Sequence, residues 1–247
     1  MSTPDLAERI RGKKGPLAVG VVDEMYANPF WMERFANRGR KFAEEDLGYH
    51  VDYLVQALVA RDPGVLERYA RWLQSVLTTR GMCSVHLADS FTRLGRAVAE
   101  SIPDSAAASG CIEAAVAALR YPDGPARELQ DASGRLAEIA VRLFAASRPD
   151  DVARWGARGR ELCLEDAGYH LAYLADALAL DRPAVFVGYV TWIDGFLRRR
   201  NVGGEHLRTM LSIVAGTIEE DATLSVALRR SAGDLLRQGA DALGTGG

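Results

Sequence analysis

Apolar positions recur along this chain with a helical period, and no stretch sustains the alternation of a strand. Leu47, Val51, Leu54 and Leu58 fall at spacings of four, three and four, the seam of a bundle helix. Arg61-Asp62-Pro63 closes that helix, because a proline suits a first turn and breaks an interior. Val65, Leu66, Tyr69, Trp72, Leu73, Val76 and Leu77 line the next helix, which Gly81 stops. Ser84 stands where a cap would open a third, with Leu87, Phe91, Leu94 and Val98 along one side. Pro103-Asp104-Ser105 opens a fourth that runs to about Leu119, and Tyr121-Pro122-Asp123-Gly124 breaks it. A further helix spans about Ala126 to Ala146. Short links between long helices imply antiparallel neighbours in a bundle.

The pattern then repeats. EDLGYHVDYLVQAL at 45–58 returns as EDAGYHLAYLADAL at 165–178, and nine of the fourteen positions are identical. Sliding the chain by 120 positions aligns 34–100 with 154–220 without a gap. Outside that core the pairs include Arg34/Arg154, Arg38/Arg158, Gly39/Gly159, Arg40/Arg160, Pro63/Pro183, Tyr69/Tyr189, Trp72/Trp192, His86/His206 and Glu100/Glu220. We therefore expect an all-α fold built by tandem duplication of a four- to five-helix bundle. The expected domains are 1–124 and 125–247, packed together as one pseudo-two-fold unit. The first dozen residues and the tail GTGG read as poorly ordered.

Composition narrows the function classes. Hydrophobic residues make up 48% and charged residues 26%, as in ordinary globular proteins. The net charge is −3 and the pI about 5.9, which argues against nucleic acid or an anionic membrane as partner. No apolar run reaches the ~18 to 20 residues that span a bilayer, and the N-terminus lacks a signal peptide's apolar core. Cys83, Cys111 and Cys163 are odd in number and have no CxxC spacing, which points to a reducing, cytoplasmic setting.

Candidate chemistry sits on the repeated columns. All four histidines fall on two of them, His50/His170 and His86/His206. Asp46 and His50 lie one helical turn apart and so share a face, and Glu45 and Tyr49 form a row beside it. An up-down-up path would bring His86 to the height of Glu45 and Asp46. The expected metal ligands are Glu45, Asp46, His50 and His86 in one copy and Glu165, Asp166, His170 and His206 in the other. Two imidazoles and a carboxylate suit iron first, then manganese or zinc. A buried His bonded to a neighbouring Asp as a structural device is the competing account. Tyr49, Tyr53, Trp72 and Arg38, with Tyr169, Tyr173, Trp192 and Arg158, would line a cofactor. Their plain alternatives are core packing for the aromatics and solvated charge pairs for the arginines. No nucleophile–base pair is visible and the Ser and Cys near the histidines are not shared by both copies, which argues against triad chemistry but leaves other enzymatic activity open.

One resemblance bears on the cofactor. Trp155, nine residues and then Glu165-Asp166 is similar to the helical bundle that caps cobalamin in B12-dependent photoreceptor regulators and corrinoid proteins, whose pattern is Trp, nine residues, Glu-His. The stretch ALVARDPGVLERYARWLQSVLTTRG also resembles the first helices of such bundles. Phe35 replaces the Trp in the first copy, Asp46 and Asp166 fill the His position, and the cobalamin-binding Rossmann half is absent. The resemblance implies a bundle that holds a tetrapyrrole or acts as a sensor module. The leading expectation is a protein that binds a metal or metallo-cofactor as sensor, carrier or oxidative enzyme. Its partners would be a small-molecule or metal ligand and a protein or second copy of the chain. A non-catalytic regulatory or interaction module, whose repeated residues are structural, is the alternative. A non-haem iron oxidative enzyme is the third.

Overall fold

A computed structural model describes residues 3–243, apart from the side chain of Val152. Among the described residues there are eleven α-helices, one 3-10 turn and no strand. The helices are α1 (Thr3–Gly12), α2 (Lys14–Tyr26), α3 (Pro29–Ala60), α4 (Gly64–Leu77), α5 (Ser84–Ser101) and α6 (Ala106–Ala118), then α7 (Pro125–Ser147), α8 (Pro149–Leu180), α9 (Pro183–Arg198), α10 (Gly204–Glu220) and α11 (Val226–Ala242). The all-α expectation holds. None of these helices is long and apolar enough to cross a membrane.

The chain divides into two compact units, Met1–Leu77 with Val85–Arg120, and Thr78–Ser84 with Tyr121–Gly247. The division after Arg120 lies close to the boundary expected at 124. The assignment of 78–84 to unit 2 was not expected. The N-terminal residues, expected to be loose, form α1, with Leu6, Ala7 and Ile10 buried in unit 1. Leu6 and Ile10 are one turn apart, enough to anchor a short helix. The GTGG tail lies outside the described residues.

Within each unit the helix bounds follow the local signals. The seam Leu47, Val51, Leu54 and Leu58 is buried throughout, at 2% exposure or less. The long helices α3 and α8 end at left-handed caps, Arg61 (φ 53°) and Asp181 (φ 50°), just before Pro63 and Pro183. Their starts, Pro29 and Pro149, are 120 residues apart, as are those of α5 and α10 and of α6 and α11.

Both long helices carry a kink that the periodicity did not announce. It lies at Ala36 (φ 54°, ψ −168°) in α3 and at Gly156 (φ 65°, ψ −161°) in α8. The bend swings the side chains of Phe35 and Trp155 over the next turn. A Cβ on Gly39 would lie 2.3 Å from Phe35 Cβ, and one on Gly159 2.1 Å from Trp155 Cβ. This close approach accounts for the shared Gly39/Gly159 column. At Ala36 the same backbone conformation is held by a residue with a side chain, in a region open essentially to glycine. Ala36→Gly should therefore raise the stability of unit 1 by about 1 kcal/mol. A lower midpoint in urea unfolding would contradict that strain.

Candidate functional site

His50 lies on α3 at the centre of unit 1 and is buried. Its partners come from the next two helices. Tyr69 of α4 brings its hydroxyl within 3.0 Å of Nδ1, and Ser90 of α5 brings Oγ within 3.3 Å of Nε2. The direction of this chain can be deduced. Ser90 Oγ donates its proton to the Leu87 carbonyl at 2.7 Å, so toward His50 it acts as an acceptor. In the tautomer with its proton on Nε2, Nδ1 accepts from the Tyr69 hydroxyl; a ring N–H also meets the Asp46 carbonyl one turn back. The imidazole also stacks on Phe91, with centroids 4.3 Å apart and planes at 18°. Burial lowers the His50 pKa to about 3, opposed by a hydrogen bond to the Asp46 backbone. The same burial pushes the Tyr69 phenol upward, with Asp46 adding to the shift.

Unit 2 repeats the geometry. His170 Nδ1 lies 2.9 Å from the hydroxyl of Tyr189 on α9. Burial lowers the His170 pKa to about 4. In both units the bonded tyrosine stacks on a second one. Tyr53 and Tyr69 have centroids 4.0 Å apart at 11°, and Tyr173 and Tyr189 have 3.9 Å at 11°. The Tyr173 hydroxyl donates to the Gly81 carbonyl at 2.8 Å. The position of Ser90 is taken by Met210, so the outer link of the chain belongs to unit 1 alone.

The second histidine column diverges. His86 is buried, its ring 4.9 Å from Phe30 and 5.0 Å from Trp31. The kink at Ala36 brings that aromatic pair to it, so His86 meets the start of α3 rather than the level of Asp46. Burial, with Arg34 adding to it, lowers its pKa to about 3. His206 instead joins a polar group. Its Nε2 lies 2.9 Å from Asp151 Oδ2 and its Nδ1 3.1 Å from the Gly203 carbonyl. Arg148 reaches Asp151 at 3.2 Å and Glu205 at 3.3 Å. Hydrogen bonds from His206, then Arg148, hold the Asp151 carboxyl below its usual range. The position of Trp31 is Asp151 in unit 2, and that exchange turns an aromatic cage into an ion-pair cluster.

Asp46 meets His50 through its backbone, in a hydrogen bond that opposes the fall in the imidazole pKa. Glu45 is exposed and Asp46 half-buried. Glu165 accepts the Tyr169 hydroxyl at 3.3 Å. Asp166 is largely enclosed, and burial, with Glu165 adding to it, raises its pKa to about 7. Among the described residues, no group of three His, Cys, Asp or Glu side chains is placed to hold a metal ion. Trp155, at the head of the Trp, nine residues, Glu-Asp pattern, packs on Phe144 (6.3 Å, 12°) and His206 (5.5 Å).

The remaining predicted lining residues scatter. Trp72 is 59% exposed and Tyr49 55%. Trp192 is half-buried, 5.2 Å from Phe196. Core packing therefore fails as an account of Trp72. Arg38 lies 5.5 Å from the Phe42 ring, and Arg158 pairs with Glu161 at 2.9 Å; both arginines are exposed.

One cluster escaped sequence reasoning. Asp176 of α8 is fully buried in unit 2. It accepts the Ser84 backbone N–H at 2.9 Å, the Ser84 hydroxyl, and the Tyr121 hydroxyl at 2.7 Å. Burial raises its pKa to about 6, and these three donors oppose that shift. Ser84, expected to cap α5, donates to this carboxylate. The repeat partner of Asp176 is Gln56, which is exposed, so the duplication gave no signal here.

No known protein family, curated protein or solved structure matches the chain.

Proposed function

We propose that this chain is a non-catalytic regulatory or protein-interaction module, in which the repeated His, Tyr and Gly residues hold two helical units in shape. The observation that carries this reading is the oriented chain Tyr69–His50–Ser90, which ties α4 and α5 to α3 through both ring nitrogens of His50. A histidine so engaged acts as a cross-brace. A metal or metallo-cofactor would require it to give up one of those bonds and leave a hydroxyl unpaired in the core. The exposed Phe42, Tyr49 and Trp72 of unit 1 supply apolar surface of the kind that interaction modules present.

Elemental analysis and an absorption spectrum of the purified protein test the reading. The expected result is no stoichiometric metal and no Soret-like band. His50→Leu and His170→Leu should each cost about 1 to 3 kcal/mol while helical content stays native, because each leaves a buried tyrosine hydroxyl without its acceptor. Stoichiometric iron, or a visible chromophore lost in the double variant, would overturn the proposal in favour of the metallo-cofactor reading.

A further inference from the structure

We propose that the two buried His–Tyr–Tyr clusters are one-electron relay sites, in which Tyr69 and Tyr189 yield an electron to an outer-sphere oxidant of high potential and pass the phenolic proton to the bonded imidazole. This activity goes beyond a scaffolding role. The same three rings can brace the helices and carry charge.

A buried phenol resists oxidation if its proton has nowhere to go, because a cationic ring is costly in apolar surroundings. Here the acceptor is already in place. The Tyr69 hydroxyl lies 3.0 Å from Nδ1 of His50, and Ser90 Oγ, bonded to the Leu87 carbonyl, favours the tautomer whose lone pair faces the phenol. Tyr189 and His170 repeat the contact at 2.9 Å. In the step, the Tyr O–H bond breaks, an N–H bond forms at Nδ1, and one electron leaves for the oxidant. The products are a neutral tyrosyl radical, an imidazolium and an oxidant reduced by one electron. When an electron returns, the proton moves back and the neutral pair is restored. Burial of the imidazolium raises the potential required, so the oxidant is a high-potential one-electron acceptor of the photo-oxidised metal-complex class.

The second tyrosine gives the radical a neighbour. Its ring lies face to face at 4.0 Å in unit 1 and 3.9 Å in unit 2, close enough for direct overlap. Hydrophobic packing alone favours offset or edge-on aromatic pairs no less than this parallel one. In unit 1 a route to solvent continues through Trp72, 6.2 Å from Tyr69 between centroids and 59% exposed.

The test uses the full chain and tris(bipyridine)ruthenium(III) generated by a light flash, followed by transient absorption and electron paramagnetic resonance. A neutral tyrosyl radical should form, and more slowly in heavy water. Replacing His50 and His170 together with Gln keeps an acceptor for each phenol but removes the base. That should slow radical formation by about a hundredfold, the usual contribution of a positioned proton acceptor. Tyr69→Phe with Tyr189→Phe should abolish the phase that depends on His50 and His170, while the six remaining tyrosines, the exposed Tyr49 among them, react independently of those histidines. An unchanged rate in the Gln variant, or survival of the histidine-dependent phase in the Phe variant, would overturn the proposal. Native protein that shows no solvent isotope effect would overturn it as well, and that measurement needs no variant to fold.

Discussion

At pH 4.5 unit 1 should be unfolded while unit 2 keeps its helices. In unit 1, burial holds His50 and His86 neutral with pKa values of about 3, against an ordinary 6.5. A depressed histidine pKa contributes stability that is present above pH 6.5 and lost as pH falls, because the unfolded chain takes up the protons the fold refuses. Each such group costs about 1.4 kcal/mol per pH unit in that window. Two of them over two pH units remove about 5 kcal/mol, comparable to the whole stability of a small domain. In unit 2, His170, at about 4, works in the same direction. Asp166 and Asp176, raised to about 7 and 6, work against it. Their folded pKa values lie above the ordinary 3.8, so the fold binds their protons more tightly and gains stability as pH drops from about 7 toward 4. Two carboxyls outweigh one imidazole. Pulsed hydrogen exchange across this range should show protection lost first in residues 3–77 and retained in 121–243. Asp166→Asn with Asp176→Asn should remove the acid tolerance of unit 2. Simultaneous loss of protection in both units would contradict the argument.

Asp176→Ala should destabilise unit 2 by about 3 to 5 kcal/mol. Three donors lose their acceptor at once: the Ser84 N–H, the Ser84 hydroxyl and the Tyr121 hydroxyl. A buried donor left unsatisfied costs roughly 1 to 3 kcal/mol. The two hydroxyls lie 3.0 Å apart and recover one bond between themselves, which keeps the total below the simple sum. Asp176→Asn retains the volume and one acceptor and should cost about half as much. Gln56→Ala, at the exposed repeat partner, should change stability by less than about 0.5 kcal/mol. Urea unfolding of the three variants makes the comparison. An Asp176→Ala midpoint close to native would show that water or a neighbour replaces the carboxylate.

The candidate site was legible in part. Its column His50/His170 was visible because it repeats, and so were Tyr53/Tyr173 and Tyr69/Tyr189. The pairing of His50 with Tyr69 was not visible. The spacing that puts Asp46 on the same face as His50 made the carboxylate the obvious neighbour, yet the ring turns to α4 and α5. His86/His206 was misleading for another reason. The histidine is shared, but its surroundings changed when Trp31 and Asp151 came to differ, and that position is more than fifty residues away in sequence. Trp72 was expected to line a cofactor, with core packing as the alternative, because it extends the stripe of Leu66, Tyr69 and Leu73. Those three are buried, whereas Trp72 lies just beyond the edge of the stripe.

The chain alone determined most of the helices, α1 excepted. Apolar period, first-turn prolines and left-handed caps act within a few residues, and each biases the backbone wherever the helix finally packs. That is why the seam of α3, the stop before Pro63 and the matching bounds of α8 followed from the letters. Tertiary structure decided which helix faces meet. The kink at Ala36 and Gly156 aims the first turns of α3 and α8 at the second histidine column, and Gly39 and Gly159 record it only once Phe35 and Trp155 are seen lying over them. The loop 78–84 belongs to unit 2 because Asp176, nearly a hundred positions away, binds Ser84. Such choices depend on helix rotation and on polar groups that need a partner once water is excluded, and neither leaves a period in the sequence.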